Sequence, residues 1–243
     1  MPQTMIPEAL TCALDARGYA VLTPVQQAVI TPETDGRDLL VSARTGSGKT
    51  VAYGLAIAVD LLGPMGVLPP AGAPLALVVA PTRELALQVQ RELEWLYAEA
   101  GARVVSCVGG MDPRREQRLL YAGAHIVVGT PGRLRDHLER GALRMGDLAV
   151  AVLDEADEML DLGFREELEA ILDAAPQERR TLLFSATLPK PILAIARQYQ
   201  KDALRLTIGG GVGEESHSDI DYRAVVVAPS DVEHAVVNLL RYF

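Results

Sequence analysis

The sequence predicts an α/β fold, a mostly parallel sheet with helices on both faces. Two observations carry that reading. Short apolar runs without polar alternation recur at residues 38–42, 75–80, 103–107, 125–128, 148–153 and 181–185. This is the pattern of strands buried on both faces. Segments with helical spacing lie between them, at 49–62, 83–98, 113–121, 132–140, 165–174 and 190–200. Alternating strands and helices build a parallel sheet through crossover connections.

Composition agrees. The chain has 243 residues, of which 49% are hydrophobic, enough for a packed core and too apolar for a disordered chain. Its richest apolar stretch, 51–62, is interrupted by Asp60 and is too short to span a bilayer, so no membrane association is expected. The N-terminus has no basic and apolar leader. Cys12 and Cys107 make neither a disulfide framework nor a zinc cluster, and the four histidines show no ligand spacing. A reducing, cytoplasmic setting is the expectation. The net charge of −9 argues against binding polyphosphate through bulk electrostatics, so any nucleic-acid role must rest on placed groups.

Taken in order, residues 7–17 and 24–30 read as two helices ahead of the first strand. Residues 63–74 form a Pro/Gly-rich loop expected to be mobile. The Gly-rich stretch after residue 208 reads as a flexible linker. A strand-like run at 222–228 and an amphipathic segment at 232–243 follow. One strand and one helix cannot bury a core alone. The expected division is therefore a first domain at 1–208, a linker at 209–218, and the opening of a truncated second domain at 219–243. Its exposed apolar residues are expected to leave that tail disordered, folded back or paired with another copy of the chain.

The first run leads into Ala43-Arg44-Thr45-Gly46-Ser47-Gly48-Lys49-Thr50, which opens directly into a helix. This resembles a Walker A loop, with Ala43 where the first glycine usually stands. Gly46 and Gly48 let successive N–H groups turn inward as an anion nest, and the helix N-terminus faces the same point. Lys49 is expected to reach the β- and γ-phosphates of ATP, and Thr50 to hold Mg²⁺ through its hydroxyl. Asp154 and Glu155 end the most apolar run, at the ligand edge of an open α/β sheet. Asp154 is the candidate to position Mg²⁺, largely through water. Glu155 is the candidate base for an attacking water. Without the phosphate loop, both would pass as an acidic helix N-terminus.

Further short motifs complete a pattern. They are Gly18-Tyr19 with Thr23-Pro24-Val25-Gln26, Pro81-Thr82-Arg83, Gly109-Gly110, Thr130-Pro131-Gly132-Arg133, Asp154 to Asp157, and Ser185-Ala186-Thr187. Thr82 and Thr130 also read as helix N-caps, and a capped helix N-terminus can hold a phosphate. In this order the motifs resemble those of the DEAD-box RNA helicases, over roughly residues 6–208. Leu22 stands where that family usually has proline.

The resemblance implies a RecA-like, three-layer P-loop NTPase fold and an ATP-dependent RNA helicase that remodels short RNA duplexes. It implies adenine recognition by Gln26, Thr23 and Tyr19, and phosphate binding by Arg44 to Thr50. It further places Pro81, Thr82, Arg83, Gly109, Gly110, Thr130, Gly132 and Arg133 along the sugar–phosphate backbone of one RNA strand, which positions without reading sequence. Ser185 and Thr187 would link hydrolysis to strand separation through Asp157. A second RecA-like domain would supply arginine fingers, worth about 10³–10⁵ in turnover, so this chain is expected to be nearly inactive alone. A DNA-directed translocase and a non-enzymatic RNA clamp remain as alternatives.

Overall fold

A computed structural model describes residues 6–63, 66–208 and 225–242. The chain divides into two units, Met1–Gly209 and Gly210–Phe243.

Seven strands form one sheet in the first unit: β1 (Leu39–Ser42), β2 (Ala76–Val79), β3 (Val104–Cys107), β4 (Ile126–Gly129), β5 (Val150–Leu153), β6 (Arg180–Ser185) and β7 (Leu204–Thr207). Their spatial order is β3-β4-β2-β5-β6-β1-β7, and every pairing is parallel. The first unit's helices are α1 (Glu8–Ala16), α2 (Pro24–Ala28), α3 (Lys49–Ala56), α4 (Ala58–Leu62), α5 (Arg83–Leu96), α6 (Pro113–Tyr121), α7 (Pro131–Glu139), α8 (Ala156–Asp161), α9 (Arg165–Ala174) and α10 (Lys190–Tyr199).

Two apolar clusters sandwich the sheet, because successive strand residues point to opposite faces. Leu39, Val41, Val78, Val152, Leu182 and Phe184 pack with residues of α1 to α5. Leu40, Leu77, Val79, Leu153 and Leu183 pack with residues of α6 to α10. This makes the three layers and explains the unbroken apolar runs.

The sheet order positions the site. In a parallel sheet every strand ends at the same edge. The loops after β1, β5 and β6, which are neighbours, carry Ala43 to Thr50, Asp154 to Asp157, and Ser185 to Thr187. The loops after β2, β3 and β4, also neighbours, carry Pro81 to Arg83, Gly109–Gly110, and Thr130 to Arg133. The two sets meet where β2 pairs with β5.

The structure departs from the sequence reading in several places. Strand β7 was not expected. Its residues alternate between half-buried and exposed, too weak an apolar signal at a sheet edge, and pairing with β1 creates it. The predicted helix at 49–62 breaks at Ile57, between α3 and α4. There, carbonyls are claimed from outside the helix: Tyr97 Oη donates to Gly54 O at 2.6 Å, and Arg180 Nη1 donates to Ala56 O at 2.8 Å. Arg180 also pairs with Asp60 Oδ2 at 2.9 Å, which gives the acid that interrupts the apolar run its partner. Helix α8 was also unforeseen. The loop expected to be mobile is tethered, since Ala124 N donates to Gly72 O at 3.0 Å and His125 Nε2 lies 2.8 Å from Pro69 O.

In the second unit, residues 225–228 form no strand. A strand needs a neighbour for its backbone groups, and Val226 is 96% exposed. The rest of that run and the whole expected linker, within residues 209–224, lie outside the described residues. The amphipathic segment is helical, α11 (Val232–Tyr242), with no buried residue.

Candidate active site

The phosphate loop leaves β1 with Ala43 N donating to Ser185 O at 3.0 Å. Gly46 (φ +80°) and Gly48 (φ +88°) adopt left-handed backbone, the region that favours glycine. Gly48 is also sterically committed, because a Cβ there would lie 2.6 Å from Gln26 Nε2. The Ser47 hydroxyl bonds Arg44 O at 2.8 Å and closes the turn. Arg44, Thr45 and Gly46 face solvent, while Lys49 is buried.

Lys49 Nζ lies 3.5 Å from Glu155 Oε1, and the Thr45 hydroxyl donates to the same oxygen at 3.2 Å. That carboxylate oxygen thus occupies the donors a phosphate oxygen would take. Glu155 reaches it from a left-handed backbone (φ +51°), a conformation costing about 1–2 kcal/mol for a residue with a Cβ. Such strain persists where surrounding structure holds it, often at functional sites.

Asp154 is 2% exposed. Its Oδ2 accepts from Tyr53 Oη at 3.1 Å, and its Oδ1 is buried with no hydrogen-bond partner. Burial pushes its carboxyl up to about 6; Lys49 opposes this and Glu155 reinforces it. A buried carboxylate oxygen without a donor, on an aspartate linked through the Tyr53 hydroxyl to Thr50 at the start of α3, is the hard oxygen environment that Mg²⁺ takes. The residues fit that ion.

Asp157 joins this acidic turn to the loop after β6. The Thr187 hydroxyl and backbone N–H donate to Asp157 Oδ2 at 2.8 and 2.9 Å. Asp157 N donates to the buried Ser185 Oγ at 3.3 Å. Burial works against ionisation of Asp157, but the hydrogen bonds from Thr187 and Ser185 hold its carboxyl below the ordinary value.

Gln26 is buried and its amide is engaged at both ends. Oε1 accepts from Thr23 N at 2.9 Å, and Nε2 donates to Gly48 O at 3.3 Å. It therefore ties the Thr23 turn to the phosphate loop. Thr23 Oγ1 is buried without a partner. Tyr19 stacks on Trp95 with ring centroids 5.6 Å apart.

A family model for DEAD/DEAH box helicases matches residues 23–195. The chain belongs to that family. It is 45% identical over 190 residues to the DEAD-box ATP-dependent RNA helicase CshA of Geobacillus kaustophilus, a match covering 78% of this chain and 39% of that protein. Against the chloroplastic DEAD-box ATP-dependent RNA helicase 3B of Zea mays it is 36% identical over 240 residues, 98% of this chain and 32% of the relative. The crystal structure of a DEAD box protein from Methanococcus jannaschii superposes with a TM-score of 0.75 at 33% identity, covering 96% of this chain and 61% of that one. The chain spans about a third to two fifths of the length of the curated relatives it matches. Its fold is the RecA-like fold of DEAD-box proteins.

On the other half of this DEAD-box sheet edge, Thr82 caps α5, accepting from Leu85 N at 3.3 Å. Thr130 holds the N-cap position of α7, followed by Pro131, but its hydroxyl makes no cap bond. The capping expected there is positional only. Pro81 is buried, and Gly132 has open space where a Cβ would go. Arg83 is exposed and lies against Gly110 (φ +76°), its Nη1 2.7 Å from where a Cβ would stand. Gly109 next to it is open.

Arg133 is different. Its Nη1 donates to Met111 O at 3.2 Å and to Glu116 Oε2 at 2.7 Å. Glu116 Oε1 accepts from Val108 N at 3.0 Å, and His137 Nε2 lies 2.7 Å from Oε2. One carboxylate thus joins the double-glycine loop to α7. Burial raises the cost of that charge, but His137, the Val108 N–H and Arg133 together hold the Glu116 carboxyl below its usual value. Cys107, Glu116 and His137 cluster with potential ligand atoms within 4.8 Å. Arg133 already supplies the cation, and burial pushes the Cys107 thiol up, which disfavours the metal-binding thiolate. Sequence reading missed Glu116 because nothing local distinguishes it from an ordinary acid in the first turn of a helix.

Proposed function

We propose that this chain is the nucleotide-binding RecA-like domain of an ATP-dependent RNA helicase, which hydrolyses ATP to remodel short RNA duplexes. The convergence of Lys49 and Thr45 on one carboxylate oxygen of Glu155, beside buried Asp154, carries the reading. Family membership supports it.

Phosphate oxygens take the donors now on Glu155, namely Lys49 and the Thr45 hydroxyl, together with the loop N–H groups. Thr50 and Asp154 would hold Mg²⁺, largely through water, and the ion would neutralise charge on the phosphates. Glu155, released from Lys49, orients the attacking water and accepts its proton. Water attacks the γ-phosphorus in line as the bond to the β–γ bridging oxygen breaks, giving ADP and inorganic phosphate. Gln26, through Gly48, couples adenine occupancy to the phosphate loop. Asp157, Ser185 and Thr187 carry the change at the acidic turn to the loop after β6.

The loops after β2, β3 and β4 are proposed to line one RNA strand, through Pro81, Thr82, Arg83, Gly109, Gly110, Thr130, Gly132 and Arg133. Their contacts would be to sugar and phosphate. Exposed Arg83 is the better-placed phosphate ligand, while Arg133 acts mainly by bracing the loop at Met111.

Residues 1–208 are proposed as the first domain, 209–218 as linker and 219–243 as the opening of a second RecA-like domain. The maize alignment runs on through that region, and the exposed Val236, Leu240 and Tyr242 of α11 are what an unfinished core or a self-associating tail offers. Among the described residues no helix is long and apolar enough to cross a membrane. Cys12 and Cys107 are free, which supports a reducing, cytoplasmic setting.

The deciding assay is ATP turnover with RNA, with DNA and with neither, on this chain and on a version carrying a complete second domain. RNA-stimulated turnover by the longer version, with slow turnover by this chain, is expected. Stimulation by DNA alone indicates a DNA translocase, and RNA binding without turnover indicates a clamp.

A further inference from the structure

Helix α3 opens at Lys49 and Thr50, and Tyr53 follows one turn later on the same face as Thr50. Tyr53 is fully buried, and its ring meets Phe184 of β6 edge-on, with centroids 5.3 Å apart and planes at 67°. A ring so held has its hydroxyl aimed in one direction. That hydroxyl donates to Asp154 Oδ2 at 3.1 Å. The Thr50 side chain is its other polar neighbour. Asp154 Oδ1 is left buried and without a partner.

We infer that Tyr53 is a positioning residue for the cation site: its hydroxyl holds Asp154 by Oδ2, so that Oδ1 alone is presented toward the ion beside Thr50. The inference rests on the Mg²⁺–nucleotide reading of this site and adds a residue outside the phosphate loop and the acidic motif. An aspartate has a free rotor at χ2, and its carboxylate is broad in orientation unless something fixes it. The backbone of Asp154 is already fixed through Asp154 N on Val79 O at 2.9 Å. The phenol fixes the remaining freedom. Support of this kind, one bond behind the ligand, normally tunes a metal site.

The test is the gain in ADP affinity on adding Mg²⁺, measured by calorimetry on this chain with and without the metal. Tyr53→Phe keeps the ring and its contact with Phe184 and removes only the hydroxyl. A fall in the Mg²⁺ gain of at least about threefold, with Mg²⁺-free affinity unchanged, is expected. In an Asp154→Ala background Tyr53→Phe should have no further effect, because the hydroxyl then has nothing to position. A merely structural role would lower both affinities together. An unchanged or larger Mg²⁺ gain in Tyr53→Phe, or an equal loss in the Asp154→Ala background, overturns the inference and leaves the site reading intact. A wild-type chain without any Mg²⁺ gain overturns the site reading, and the inference with it.

Discussion

Arg133 donates to Glu116 at 2.7 Å, across the gap between α7, which follows β4, and α6, which follows β3. The pair is largely buried, with side chains 14% and 6% exposed. The guanidinium is therefore a brace that ties the loop at Met111 to Glu116, and under the proposed RNA reading RNA affinity should depend on this carboxylate.

Glu116→Ala should test this brace. It strips the acceptor from Val108 N, Arg133 and His137 at once. Removing one partner of a buried pair costs about 3–5 kcal/mol. A loss near the lower end is expected in urea unfolding, with Glu116→Gln milder because it keeps an acceptor. A loss below about 1 kcal/mol would remove the brace from the account, since that is the level of an exposed pair.

Lys49→Ala should weaken nucleotide binding by about 10- to 100-fold, the worth of a charge-assisted hydrogen bond. Calorimetry with ADP measures it. Unchanged affinity would mean that the ammonium stays on Glu155 when nucleotide binds.

Glu155→Gln should bind nucleotide at least as tightly as the native chain, because it releases Lys49 and removes a charge that repels phosphate. In a version with a complete second domain it should lose about 10²–10⁴ in turnover, the usual worth of a general base. Normal turnover would exclude Glu155 as the base.

Asp154 has a stability cost with a definite sign. In the fold its carboxyl holds a proton to about pH 6, while the unfolded value is near 3.8. The folded state binds more protons between these limits, so stability falls as pH rises through the window and stays lowered above it. Lys49 opposes the effect, while burial and Glu155 drive it. In EDTA at pH 7, Asp154→Asn should be more stable by on the order of 2–3 kcal/mol. Its unfolding free energy should also be flatter between pH 4 and 6. Equal pH profiles for the two proteins would show that the buried charge costs nothing.

Gly48→Ala should lower both melting temperature and nucleotide affinity. The left-handed backbone costs about 1–2 kcal/mol for alanine, and the new methyl displaces the Gln26 amide. A variant with native melting and binding would show that the loop can re-form without its glycine.

Most strands and helices around the site, α8 excepted, were legible because each announces itself locally. Apolar runs mark buried strands, and the bent Gly46-Ser47-Gly48 turn before Lys49 marks an anion nest wherever it occurs. Edge strand β7 was hidden, since Leu204 and Arg205 carry no local pattern and only pairing with β1 makes them a strand. The break at Ile57 was hidden too, because the groups that capture the carbonyls of Gly54 and Ala56 come from Tyr97 and Arg180, far along the chain.

Residue type and spacing therefore settled the family, the sheet and the inventory of chemical groups, because these depend on short-range periodicity and on backbone freedom at single glycines. Folding alone decided which groups meet. Strand order sorted the loops into two adjacent sets. Burial turned Glu116 into the anchor of Arg133, and a phenol one turn into α3 came to hold Asp154. Such pairings are set by packing between segments distant in the chain, where a charge or hydroxyl shut off from water must find its partner in three dimensions.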